Sequence, residues 1–201
     1  MTLKHLAFAV LSFIFTACSG DNTITYGGQT YKTVKIGEQT WMAENMNHEA
    51  EGSKCYENHP ANCKKYGRLY NWETAMKVCP KGWHLPNNAD WDKLLRFVDG
   101  DKGTKSPYMS TTAGKHLKAI SGWNKNGNDT DDYGFFALPG GLYLDHSSFY
   151  FVGSSGYWWS ASEFDNSADY RRMGCCDEYA YEVRYGSHYK PSLLSVRCIK
   201  D

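Results

Sequence analysis

The chain has 201 residues, of which 22 are basic and 22 acidic, so its formal charge at pH 7 is zero. That balance excludes the electrostatic footprint of a nucleic-acid binder and gives no pull toward an anionic membrane surface. Aromatic residues reach 15%, with 15 Tyr and 7 Trp beside 19 Gly, a mixture that points to a loop-rich domain with an aromatic core rather than a helical bundle.

Residues 1–17 read as a lipoprotein signal peptide. Lys4 and His5 make a basic start, and residues 6–15 (LAFAVLSFIF) form an apolar core. Thr16 and Ala17 are the small residues at the cut, and Cys18 is the thiol that takes lipid. Phe15 stands where leucine is usual in such signals. A spanning helix needs about 20 apolar residues. This run is half that length, and polar Ser19, Gly20, Asp21 and Asn22 follow it. The reading is a lipid anchor on Cys18 as the membrane partner, with residues 18–25 as a short tether and 26–201 as one domain. Ser19, rather than an acid, after Cys18 points to the outer membrane or cell surface. Cleavage leaves 184 residues (201 less 17) with 21 basic and 22 acidic side chains, a formal charge of −1.

Residues 31–36 (YKTVKI) alternate and are β-branched, Gly37 and Glu38 make a turn, and residues 39–42 resume: a β-hairpin. A polar stretch then runs to Lys65. Residues 69–79 (LYNWETAMKVC) show helical spacing of Trp72, Ala75, Met76 and Cys79 behind an Asn71 cap, and Pro80 stops them. Residues 88–98 (NADWDKLLRFV) predict a second helix capped by Asn88, with Trp91, Leu94, Leu95 and Val98 on one face. A shorter helix is expected over 114–120. From Gly122 the pattern changes to strands at 135–138, 157–161, 179–185 and 194–199. A hairpin, then helices, then strands and long loops make an α+β domain.

With Cys18 lipidated, six cysteines remain: Cys55, Cys63, Cys79, Cys175, Cys176 and Cys198. An even set in an exported chain reads as disulfides, with fifteen possible pairings for six. Cys175 and Cys176 stand adjacent, where an eight-membered ring opposes bonding. They could still bond each other, remain thiols or link two chains.

The acidic stretch 124–132 (NKNGNDTDD) offers Asp129, Asp131 and Asp132 as oxygen ligands for a hard cation, which makes calcium the one cofactor to weigh. An EF-hand would need Gly where Asp129 stands and Glu where Phe135 stands, so a solvated turn is the competing reading. Tyr150, Trp159 and Phe164 are the candidate ligand-stacking aromatics; Trp158 and Trp159 are adjacent in a strand and should face opposite sides. The seven histidines show no zinc spacing. No nucleophile elbow, phosphate loop or dinucleotide fingerprint is present in the sequence, so no catalytic residues are assigned.

Six collinear blocks carry a resemblance. Residues 33–47 (TVKIGEQTWMAENMN), 65–76 (KYGRLYNWETAM), 79–94 (CPKGWHLPNNADWDKL), 131–141 (DDYGFFALPGG), 156–162 (GYWWSAS) and 195–201 (SVRCIKD) resemble the Fibrobacter succinogenes major paralogous domain. The resemblance implies a secreted or surface-attached bacterial protein and brings no established activity. More distantly, Trp72, Glu73, Ala75 and Cys79, then Gly82, His84 and Leu85, and a final Cys198 are similar to C-type lectin-like domains. That similarity implies a Cys79–Cys198 disulfide and leaves Cys55 with Cys63 as a local pair. The calcium-binding motifs of such lectins are replaced here by Leu138, Pro139, Gly140 and by Trp158, Trp159, Ser160.

The expected function is a surface-anchored binding module for a glycan, a polysaccharide or a protein. Two alternatives stand beside it. Formylglycine-generating enzymes share a lectin-like scaffold and use a cysteine pair to bind copper, which would give Cys175 and Cys176 a role. A structural envelope protein would instead pack with like neighbours.

Overall fold

The chain folds as a short meander, a helical middle and a long-stranded second half whose last strand returns to the first sheet. The computed structural model describes residues 22–100, 109–144, 148–176 and 181–201. The expected signal peptide and lipidation at Cys18, and the start of the expected tether, lie outside the described residues. The meander is β1 (Thr23–Tyr26), β2 (Gln29–Ile36) and β3 (Gln39–Met42). Next come β4 (Ser53–Lys54), a 3-10 turn (Tyr56–Asn58), α1 (Pro60–Tyr66), β5 (Leu69–Tyr70), α2 (Trp72–Ala75), β6 (Trp83–His84) and α3 (Asn88–Asp99). β7 (Met109–Ser110), α4 (Ala113–Leu117), β8 (Leu142–Tyr143) and β9 (Phe149–Tyr150) precede the long strands β10 (Ser155–Phe164), β11 (Ser167–Gly174) and β12 (Val183–Tyr189). β13 (Leu194–Ser195) and β14 (Ile199–Lys200) close the chain.

One sheet runs β1-β2-β3-β14-β6, another β4-β5-β13-β10-β11-β12-β7, and β8-β9 form a small ribbon. Pairing is antiparallel except between β10 and β13. The fold is therefore α+β with few helices. The expected hairpin is present, with Ile36 opposite Gln39 across the turn. α3 buries Trp91, Leu94, Leu95 and Val98 on the expected face. Its cap is Asn87 rather than Asn88: the Asn87 side chain accepts the Asp90 N–H while the Asp90 carboxylate accepts the Asn87 N–H. Such a reciprocal cap contributes about 1 kcal/mol.

β10 divides the hydrophobic core. Trp158 packs on one side with Trp41, Trp91 and Phe135, Trp159 on the other with Tyr70, Trp72, Leu194 and Cys198. Both indoles are fully buried and both are hydrogen-bonded, Trp158 Nε1 donating to Asn45 Oδ1 at 2.8 Å and Trp159 Nε1 to the Tyr70 carbonyl at 2.8 Å. The same Asn45 oxygen accepts from the buried Arg197 guanidinium at 2.7 Å. Arg197 also donates to the Met42, Phe135 and Phe136 carbonyls and lies 4.5 Å from the Phe135 ring centroid. Burial pulls its pKa down to about 9, which leaves it charged at neutral pH. Neutral oxygens thus solvate a buried cation and tie the residue 42–46 segment, β10 and the 135–136 turn together.

Three disulfides are present among the described residues: Cys55–Cys63, Cys79–Cys198 and Cys175–Cys176. The second spans 119 positions and joins the segment after α2 to the one before β14.

The structure corrects several expectations. The helix expected over 69–79 is only four residues long, because Leu69 and Tyr70 pair with β13 and β4. The polar stretch before Lys65 contains α1, which Pro60 starts at a position where its missing N–H costs nothing. Residues 135–138 make a single bridge, Lys118 to Ala137, and no strand. The strand expected over 194–199 is two strands in two sheets, with Arg197 buried at the crossover. Residues 179 and 180 lie outside the described residues, and the strand there is β12, several positions later. β11 had no counterpart in the sequence reading.

Candidate functional site

The acidic loop has its own cation. Lys118 is fully buried, and its ammonium meets Asp129 Oδ2 at 2.6 Å, the Gly127 carbonyl at 3.1 Å and the Gly174 carbonyl at 3.2 Å. Three N–H groups thus have three oxygen acceptors. Asp131 turns away and accepts the Phe136 N–H at 2.8 Å, and burial holds its carboxyl above the usual carboxylate range. Asp132 pairs with His116 Nδ1 at 2.5 Å, a hydrogen bond that holds its carboxyl below that range. The loop does not gather its three carboxylates into one cluster. Among the described residues, no group of three His, Cys, Asp or Glu side chains is placed to hold a metal.

The structure also separates the three aromatic candidates. Trp159 is fully buried with its N–H engaged, so its ring is closed to a ligand. Phe164 is 76% exposed at the tip of the β10–β11 hairpin. Tyr150 is 38% exposed in β9, beside the 51% exposed Phe151 with ring centroids 5.9 Å apart. Cys175 is buried and bonded to exposed Cys176, whose sulfur lies 3.1 Å from the Asn124 carbonyl oxygen.

Tyr150 belongs to a longer row. Phe151 lies 6.0 Å from Tyr157, Tyr157 5.5 Å from Tyr170, and Tyr170 stacks on His188 at 5.0 Å with 21° between planes. Register explains the row. Tyr157 is opposite Arg172 and Trp159 opposite Tyr170 across β10–β11, while Tyr170 faces Gly186 across β11–β12. Side chains two apart on a strand share a face, so Tyr157, Tyr170 and Arg172 project together. Gly186 makes room: a Cβ there would lie 2.4 Å from the Tyr170 hydroxyl oxygen. Trp159 at the inner end of this face is roofed by the core, whereas Tyr170, Arg172 and His188 are only half-buried. Burial raises the Tyr170 pKa and lowers that of His188, so at neutral pH both rings are uncharged. Phe151 has φ 68°, a left-handed backbone that a phenylalanine rarely adopts. Its carbonyl accepts the Ser154 and Ser155 N–H groups at 3.0 and 2.9 Å, which holds the turn. Strained residues of this kind concentrate at ligand-contacting positions.

Sequence reasoning missed Phe151, Tyr170, Arg172 and His188. The available signal was the alternation of Tyr170 and Arg172 with Asp169 and Arg171, which is the period of a two-faced strand.

Several hollows lie away from this row, among them two of about 660 and 880 Å³ that share His48. A cavity of about 240 Å³ is lined by Tyr31, Glu44, Asn45, Lys64, Tyr66 and Phe136. A cleft of about 310 Å³ lies among Asn71, Glu73, Asn166, Tyr189, Lys190 and Pro191, next to the Phe164 hairpin tip.

Fold and site together define an α+β domain, stapled by disulfides, with an open aromatic sheet face. The chain belongs to the Fibrobacter succinogenes major domain family, whose model covers residues 34–200. No curated protein and no solved structure matches it.

Proposed function

We propose that this protein is a carbohydrate-binding module with a C-type lectin-like scaffold, held at the bacterial cell surface by lipid on Cys18. The observation that carries the reading is the row Tyr150, Phe151, Tyr157, Tyr170 and His188, which runs from the β8–β9 ribbon onto the long-strand sheet, with buried Tyr157 between rings that meet solvent. Aromatic faces stack on the C–H faces of sugar rings, and successive contacts about 6 Å apart suit a chain of such rings. The lectin-like scaffold is supported by the Cys79–Cys198 disulfide and by β14 pairing with β3, which bring the two ends of the domain together. A row of pre-positioned rings binds without ordering a flexible loop, which lowers the entropic cost of association.

The test uses the full-length lipoprotein in detergent micelles against a panel of plant and bacterial polysaccharides. Saturable binding to at least one polymer, weakened about tenfold by Phe151→Ala, is the expected result, since losing a stacking contact is worth about 1–1.5 kcal/mol. Binding by no polymer, with the protein folded by circular dichroism, would overturn the reading. For the anchor, metabolic labelling with a fatty-acid analogue should mark the wild type and not Cys18→Ser.

A further inference from the structure

We propose that the ligand of the aromatic face carries carboxylate groups and that Arg172 is the residue that reads them. The inference rests on the carbohydrate-binding reading and specifies the class of sugar.

The other described arginines are either satisfied or, like Arg96 on α3, exposed to solvent. Arg171 reaches Asp92 at 2.9 Å and Asn88 at 3.0 Å, on the face covered by α3. Arg68 pairs with Glu49 and Arg184 with Glu182. Buried Arg197 has four oxygen acceptors. Arg172 is different. It is half-buried, yet its Nε and Nη2 share one neutral acceptor, the Ser155 hydroxyl, at 3.3 and 3.1 Å. Among the described residues no carboxylate lies within ion-pair reach of it. A guanidinium offers five N–H donors in a planar fork, and Nη1 has no acceptor among the described residues. Taking such a group partly out of water with so few acceptors is costly.

Its surroundings hold the fork in place and beside the rings. The guanidinium carbon sits 6.0 Å from the Tyr157 ring centroid. Behind it is Gly174, where a Cβ would lie 2.9 Å from Nη2, so this position leaves space for the side chain to lie flat. Tyr157 in turn touches Phe151, on the exposed side of the row. A planar cation held next to stacked aromatic rings presents two chemistries side by side. The rings take the apolar face of a pyranose, and the Nη1–Nη2 edge takes two oxygens of a carboxylate at the rim of that pyranose. Paired N–H···O bonds of this kind are among the strongest and most directional available to a surface site. A polymer of sugar acids supplies both groups in every repeat, which neither a neutral glucan nor a simple anion does.

The experiment compares one polymer backbone in two states, de-esterified homogalacturonan with its carboxylates free and the fully methyl-esterified form with them capped. Full-length protein in micelles is titrated with each at low and at physiological salt. Wild type should bind the acidic form at least about tenfold more tightly, with the difference shrinking as salt rises. Arg172→Gln should reduce the preference to within about twofold by weakening the acidic form far more than the esterified one, whereas Phe151→Ala should weaken both forms alike. Arg172→Lys keeps the charge and loses the fork, and is expected to fall between wild type and Arg172→Gln; it serves as the second variant should Arg172→Gln melt early.

Equal binding of both forms by the wild type would overturn the inference while leaving polysaccharide binding intact. So would an undiminished preference in a folded Arg172→Gln. Binding to a neutral polymer of the panel alone would do the same. Equal affinity for an acidic protein and for the acidic polymer would overturn it in favour of a general anionic-partner surface.

Discussion

Replacing Lys118 with methionine tests the electrostatics of the acidic loop most directly. Methionine matches the length of the aliphatic stem and removes the ammonium. What remains is the Asp129 carboxylate, 10% exposed, together with the Gly127 and Gly174 carbonyls that had shared its three N–H groups. At 2.6 Å the attraction between the charges is about 6 kcal/mol at an effective dielectric of about 20, most of it offset in the wild type by the desolvation of both ions. Removing one partner forfeits the attraction and leaves the other ion buried, so Lys118→Met should cost about 3–5 kcal/mol. Against the 5–15 kcal/mol typical of a domain, that is a third of the stability or more. Asp129→Asn should cost a similar amount by the converse route. The double variant should be more stable than the sum of the two losses implies, with a coupling of at least about 2 kcal/mol. Urea unfolding followed by tryptophan fluorescence measures all four proteins. A Lys118→Met loss below about 1 kcal/mol, or strictly additive variants, would refute the idea that this lysine is the loop's cation.

Two further outcomes follow from the same physics. The Cys79–Cys198 bridge closes 119 positions and the Cys55–Cys63 bridge 8, so in the chain-entropy model their removal as paired Ser variants should cost about 5 and about 2.5 kcal/mol. Equal losses in urea unfolding would contradict that ranking. Burial lowers the His188 pKa below its unfolded value of about 6.5. As pH falls through about 6.5, the unfolded chain takes up a proton that the folded domain refuses, so stability is lost toward the lower folded value. His188→Gln should flatten the wild-type decline in unfolding free energy between pH 7 and 5; parallel curves would show that the ring is not held neutral.

The legible parts of this chain were the ones written in local spacing. The turn at Gly37 and Glu38 declares the β2–β3 hairpin because period-two alternation on each side allows one register. α3 is visible because Trp91, Leu94, Leu95 and Val98 repeat at the helical period. The six family blocks are likewise one-dimensional patterns. The helix expected over 69–79 failed for a physical reason: helical spacing there competes with strand pairing, and Leu69 and Tyr70 gain more from β13 and β4 than from one more helical turn.

The candidate site was illegible for the same reason. Trp159, Tyr150 and Phe164 are equally aromatic in sequence. Exposure separates them, and exposure depends on what roofs each side of β10. Core from β5, α2 and β13 covers Trp159, while the same sheet face is partly open over Tyr170 one strand away and His188 two strands away. Asp129 reads as a cation ligand until the fold brings Lys118, eleven positions earlier, beneath it. Local sequence determined the hairpin, the long helix and the chemical character of each segment, because those depend on neighbours within a few residues. The tertiary structure alone decided which rings meet solvent, which carboxylates are already neutralised and which half-buried arginine is left with a single hydroxyl acceptor, because those depend on partners brought together from distant parts of the chain.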